Sequence, residues 1–164
     1  MRWSDYLLLF LLLPHAVPAA NEAYQELYRL YDVPKQLRRD AVPVCFHHDC
    51  QSVRRVALSD EHWQTVVRHL AERAQSAAAE RQQIRLAIAE MERVIGRLAG
   101  TSGDRGGDIA GITTLQPQMD CVDESFNTTA YLSLLEQAGL LHWHIVEPRE
   151  RRGHLFWGGW PHYT

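Results

Sequence analysis

The sequence predicts an α+β fold, and three observations carry that prediction. A heptad-like apolar stripe through Trp63, Val67, Leu70, Ala74, Ala77, Ile84, Ile88, Met91, Ile95 and Leu98 marks a long helical segment over residues 59–99. A second set, Val122, Phe126, Ala130, Leu134 and Ala138, steps by four and is closed by Gly139, where a residue just past a helix end belongs. Short alternating runs read as strands of a small antiparallel sheet: Val42, Val44 and Phe46, then Val56 and Leu58, and later His142 to Val146 and His154 to Trp157.

At the N-terminal end, Arg2 supplies a positive start, Tyr6 to Leu13 is an unbroken apolar run, and Val17 to Ala20 offers a cleavage region with small residues. That run is too short for a bilayer, which takes about 20 apolar residues. Residues 1–20 therefore read as a secretory signal peptide and 21–164 as one exported domain of the periplasm or cell envelope; the alternative is a buried N-terminal helix. No later stretch is apolar enough to span a membrane. The formal net charge of −3 lacks the basic surplus that phosphate binding requires, so no nucleic-acid partner is expected. Arg149, Arg151 and Arg152 read as a solvated loop.

Tyr24, Leu27, Tyr28 and Tyr31 fall at helical spacing and stop at Val33-Pro34, because proline disfavours helix in the residue before it. Residues 41–58 then read as two strands around His47-His48-Asp49. Ser59 is a good N-cap, followed by Asp60 and Glu61 in the dipole-favoured first turn. From there the helix either breaks near Gln75 to Ala79 into a helical hairpin, or projects as an arm that makes a homodimer through residues 60–98. Thr101 to Gly111 is glycine-rich and aperiodic, hence a loop. Gly158-Gly159 reads as a hairpin turn into Trp160 to Thr164.

An oxidising compartment pairs the cysteines it can. Cys45 and Cys50 are expected to form a disulfide tying the 47–49 turn. A zinc or copper site on these cysteines with His47 and His48 is the weaker reading, because adjacent side chains diverge in an extended segment. His142, His144, His154 and His162 either gather as a metal site or pack as aromatics, and packing is preferred. No metal and no other cofactor is expected. Asn127-Thr128-Thr129 fits a glycosylation sequon but falls inside a predicted helix.

Cys121 is the odd thiol, placed at a helix N-terminus where unpaired amides favour an anion. Asp120, Asp123 and Glu124 act against a thiolate there, so a cationic or histidine partner is needed. The stretch Met119-Asp120-Cys121, then Leu134-Leu135, Ala138-Gly139-Leu140-Leu141, the strand through Val146 and finally His162 resembles the transglutaminase-like branch of the papain-like thiol enzymes, in particular the exported bacterial transglutaminase-like cysteine peptidases.

The resemblance covers residues 116–164. It implies a nucleophile helix packed on a small antiparallel sheet, Cys121 as nucleophile and His162 as general base. Gln118 would lend an oxyanion contact beside the Cys121 amide. It further implies a protein or peptide substrate and hydrolysis or transamidation of peptide or isopeptide amides. The family's acidic third residue lies about fifteen positions past the histidine in that pattern, beyond Thr164. Either Asp108 or Asp123 substitutes for it, or this chain is a catalytically idle relative serving as a binding or structural module.

Overall fold

The computed structural model describes residues 22–104, 118–153 and 162–163. The expected signal peptide, Asp108, and the runs from His154 to Pro161 lie outside the described residues. The chain order is α1 (Glu22–Leu30), β1 (Val42–Phe46), β2 (Ser52–Val56), α2 (Asp60–Val67), α3 (Ala77–Ala99), α4 (Cys121–Gln137), β3 (Arg151–Arg152) and β4 (His162–Tyr163). Helices and two small antiparallel sheets together make it α+β.

Helix α1 buries Ala23, Tyr24 and Leu27, and the chain turns away before Pro34, whose carbonyl accepts the Tyr24 hydroxyl at 2.8 Å. Strands β1 and β2 pair antiparallel from Val42 opposite Val56 to Phe46 opposite Ser52. All of β1 is buried. Its outer edge is closed by one side chain: Asn127 of α4 accepts the Cys45 amide at 2.8 Å and donates to the Cys45 carbonyl at 3.0 Å. Cys45 thus turns both backbone groups away from β2. Pro43, two residues earlier and so on the same edge, needs no donor there.

The long helical stripe does break. Helix α2 is capped by Ser59, whose side chain accepts from the His62 amide, and runs into a short 3₁₀ turn at Arg68–Leu70. Ser76 caps α3 by accepting the Ala79 amide, and α2 packs against α3 as a helical hairpin. The stripe drifts within α3. Leu98 is 40% exposed, while the buried line runs Ala87, Met91, Val94, Ile95 and Ala99. A straight helix turns once per 3.6 residues, so a strict four-three pattern rotates off the buried face.

Helix α4 packs against β1, α1, α3 and β4, with Phe126, Ala130, Tyr131, Leu134 and Leu135 in the common core. It ends in a Schellman motif: Gly139 is left-handed at φ 68°, its amide donates to the Glu136 carbonyl, and the Leu140 amide donates to the Leu135 carbonyl. No described helix is long and apolar enough to cross a membrane.

Two sequence expectations are corrected. His142 to Val146 is not a strand, because side chains take its backbone donors. The amides of His142 and Trp143 donate to the buried Glu80 carboxylate at 2.7 and 2.8 Å, and the Val146 amide donates to Glu136. With those groups satisfied, no ladder is required. Nor is Arg149 part of a solvated loop. Its side chain is only 2% exposed, whereas Arg151 and Arg152 are exposed on β3, which pairs with Tyr163 and His162 of β4.

Candidate functional site

Cys121 occupies the first position of α4, half-buried and not disulfide-bonded. The helix start is fixed before any tertiary contact is counted. Asp120 accepts the amides of Val122 and Asp123 at 3.0 Å each, and Asp123 accepts the Asp120 amide at 3.2 Å, a reciprocal capping box with aspartate at both ends. Burial of Phe126 and Ala130 at 0% and Leu134 at 4% anchors the helix behind the thiol. The thiol therefore projects from a rigid end.

Against that end sits an unusual turn. His47, His48, Asp49 and Cys50 all have positive φ, between 52° and 73°. A left-handed residue other than glycine costs roughly 1–2 kcal/mol, less for Asp and His, whose short polar side chains can bond locally. Four in a row need external restraint. The Cys45–Cys50 disulfide, with Cα atoms 4.9 Å apart, closes the turn as the sequence predicts. The α4 cap holds it as well: the Asp49 amide donates to Asp120 Oδ2 at 2.9 Å and the Cys50 amide to Asp123 Oδ1 at 2.8 Å.

These contacts decide two site questions. Cys45, Cys50 and Asp123 bring ligand-type atoms within 4.8 Å of one another. The donor set does not fit a metal, because the two sulfurs are bonded to each other and both Asp123 oxygens accept backbone amides. The same commitment leaves Asp123 poorly suited to orient an imidazole. Burial raises the Asp123 carboxyl to about 6, with the Asp120 charge adding and the amides of Asp120, Cys50 and His48 opposing.

Gln118, buried, donates its side-chain amide to the Gly103 carbonyl at 3.2 Å, and its own carbonyl accepts the His47 amide at 3.0 Å. Asn127 of the sequon is 1% exposed and fully engaged with Cys45, so a glycan has no access to it. His142 and His144 stand beyond the C-terminal end of α4, where His144 Nδ1 lies 2.7 Å from Glu80; among the described residues they do not gather with His162. His162 is exposed on β4, and β4 packs on α4.

A surface cleft of about 590 Å³ lies between Tyr31 and Asp32 on one side and Cys50, Gln51 and Val53 to Arg55 on the other. It borders the clamped turn. Neither Cys121 nor His162 lines it, so it is a feature beside the thiol rather than around it.

Sequence reasoning missed the cap-to-turn clamp and Arg149. The aspartates three apart at 120 and 123 are a capping-box signal, but nothing local says that their remaining oxygens serve residues 49 and 50. No family model, no curated protein and no solved structure matches this chain.

Proposed function

We propose that this protein is an exported thiol-dependent acyl-transfer enzyme acting on peptide or isopeptide amides, with Cys121 as nucleophile and His162 as its base. One observation carries the reading: the free cysteine stands at the first position of a core-anchored helix, and the strand bearing His162 packs on that same helix. The Cys45–Cys50 disulfide supports an oxidising compartment.

In the proposed reaction the Cys121 sulfur attacks the amide carbonyl carbon while its proton passes to the His162 imidazole. Collapse of the tetrahedral intermediate breaks the C–N bond, and the imidazolium returns the proton to the departing amine. Water or a second amine then attacks the thioester. In this reading the Cys121 amide serves the developing oxyanion, since the amides of Val122 and Asp123 donate to Asp120.

The test is intact-protein mass spectrometry with iodoacetamide and with an activated acyl ester, on wild type, Cys121→Ser and His162→Ala. A single adduct on Cys121, formed faster than on free cysteine and slowed roughly 10²-fold or more by His162→Ala, is the expected result. Labelling at the free-cysteine rate, indifferent to His162, sinks the reading.

A further inference from the structure

The two edges of the β1–β2 sheet end differently. On the β1 side Asn127 takes both backbone groups of Cys45, so Cys45 and its cross-strand neighbour Val53 form a pair that exchanges no hydrogen bonds. Pro43 and Arg55, two residues along, form the next such pair. The amides and carbonyls of Val53 and Arg55 therefore point away from β1, along the outer edge of β2. Among the described residues nothing bonds to them.

That edge is one wall of the cleft of about 590 Å³, and Tyr31 and Asp32, where the chain leaves α1, form the other. Paired strands lie about 4.8 Å apart, so a strand added to β2 would occupy the cleft itself. The edge is also held in shape. Strand β2 follows directly on the disulfide turn, whose Asp49 and Cys50 amides are clamped by Asp120 and Asp123 of α4. A rigid template spares an incoming strand part of the ordering cost of binding.

The side chains say what kind of strand fits. Arg54 and Arg55 are both exposed and alternate, one to each face of the sheet. Arg54 donates to the Ala99 carbonyl and lies over the Phe46 ring, 5.3 Å from its centre. Among the described residues neither arginine has a carboxylate partner. Asp32, on the far wall, is the acidic residue lining the cleft. A second copy of β2 would bring its own arginines to this edge, and like charges directly opposite one another destabilise a strand pair. An acidic strand gains on both faces.

We propose that the outer edge of β2 docks an extended acidic segment of a partner protein, which adds to the sheet as a third, antiparallel strand. Its residues opposite Arg55 and Val53 exchange backbone hydrogen bonds with those two. In the partner's chain direction the side chains read acidic opposite Arg55, acidic opposite Arg54 and β-branched opposite Val53, which is itself half-buried against the core. The site stands apart from the acyl-transfer reading, because neither Cys121 nor His162 lines the cleft.

The experiment titrates the full chain with the blocked heptapeptide Thr-Thr-Glu-Glu-Val-Thr-Thr, followed by NMR amide shifts and deuterium exchange. In the free protein the Val53 and Arg55 amides are expected to exchange roughly 10-fold or more faster than those of Arg54 and Val56, which bond to β1. The peptide should slow them by a similar factor. Replacing both glutamates by lysine, N-methylating the valine, or introducing Arg55→Glu should each weaken binding roughly 5-fold or more. Asp32→Asn should tighten it, most clearly at low salt. The altered peptides need no variant protein, so they decide the matter even if Arg55→Glu does not fold. Protection of the two amides in the free protein, or protection that rises with protein concentration, would mean that the edge is already covered and would overturn the proposal. Absence of binding overturns it as well. Binding that survives N-methylation shows charge attraction without strand addition, and equal binding of the lysine peptide shows no preference for acid; either result rejects it.

Discussion

Asp123 Oδ1 accepts the Cys50 amide at 2.8 Å, joining the first turn of α4 to a left-handed turn 73 residues earlier in the chain. This bond makes the start of the thiol helix and the disulfide turn one mechanical unit. Asp123 is fully buried, and burial above all raises its carboxyl from 3.8 to about 6. A raised native pKa means that the stabilisation is complete below the unfolded value and is lost as pH rises to the native one. Between about pH 4 and 6 this group should therefore cost the fold on the order of 2–3 kcal/mol. In Asp123→Asn that pH dependence is expected to vanish, with a loss of about 1–3 kcal/mol at pH 4 from the mismatched amide donor. Urea unfolding at pH 4, 5 and 6 reads both; an unchanged slope in the variant rejects the assignment.

The disulfide should matter locally more than globally. Closing so short a loop contributes only about 2 kcal/mol on the chain-entropy estimate. The four left-handed residues hold several kcal/mol of strain that relaxation of the turn releases. Cys45→Ala/Cys50→Ala is expected to lower unfolding free energy by about 2 kcal/mol. Backbone amides at residues 48–50 and 122–124 should exchange with deuterium at least 10-fold faster, since the clamp reaches both. Faster exchange confined to residues 48–50 would show that the turn and α4 are not coupled.

How much of this was legible depends on the range of the forces involved. The helices followed from caps and periodicity, local properties readable at Ser59 and Gly139. The break between α2 and α3 was legible too, as one of two outcomes, because an unbroken helix outruns the core. His142 to Val146 was misread as a strand because Glu80, more than 60 residues away, supplies the acceptors that a neighbouring strand would otherwise supply. Arg149 was misread for the same reason. Its company in sequence is Glu150, Arg151 and Arg152, all exposed, while its company in space is Glu26, Tyr31, Ser125 and Tyr163. Local pattern finds elements; it does not find which long side chain another element will bury.

Glu80 should be among the most sensitive single positions. It is 1% exposed and accepts the His142 and Trp143 amides and the His144 ring. Burial raises its carboxyl, but the hydrogen bonds from His144 and the two amides outweigh that and hold it below the usual glutamate range. A depressed carboxylate contributes stability above its unfolded pKa and loses it as pH falls through the native one. Glu80→Ala leaves two amides without acceptors and should cost about 2–4 kcal/mol near pH 7, with less effect below pH 4. Glu80→Gln should recover part, since it keeps one acceptor oxygen. A loss below 1 kcal/mol for Glu80→Ala at pH 7 contradicts the bonding described.

Glu92 should behave in the opposite sense. It lies on the second half of α3, where burial first, and then the charges of Glu124 and Asp104, raise its carboxyl from 4.5 to about 7. The same kind of crowding raises Glu124, again mainly through burial, with Asp104 and Asp120 adding. The sign follows from the raised value: native Glu92 favours its protonated form, so its contribution is complete below about pH 4.5 and is lost as pH climbs through 7. Because the side chain keeps some contact with water, screening reduces the full linkage value to roughly 1–2 kcal/mol. Glu92→Gln mimics the protonated form at every pH. It should match wild type at pH 5 and exceed it by that amount at pH 8.5, measured by urea midpoint at constant ionic strength. Glu92→Gln and Glu124→Gln together should gain less than the sum of their separate gains, because each removes part of the repulsion felt by the other. Equal stability differences at pH 5 and 8.5 would show that the native fold does not raise the Glu92 carboxyl.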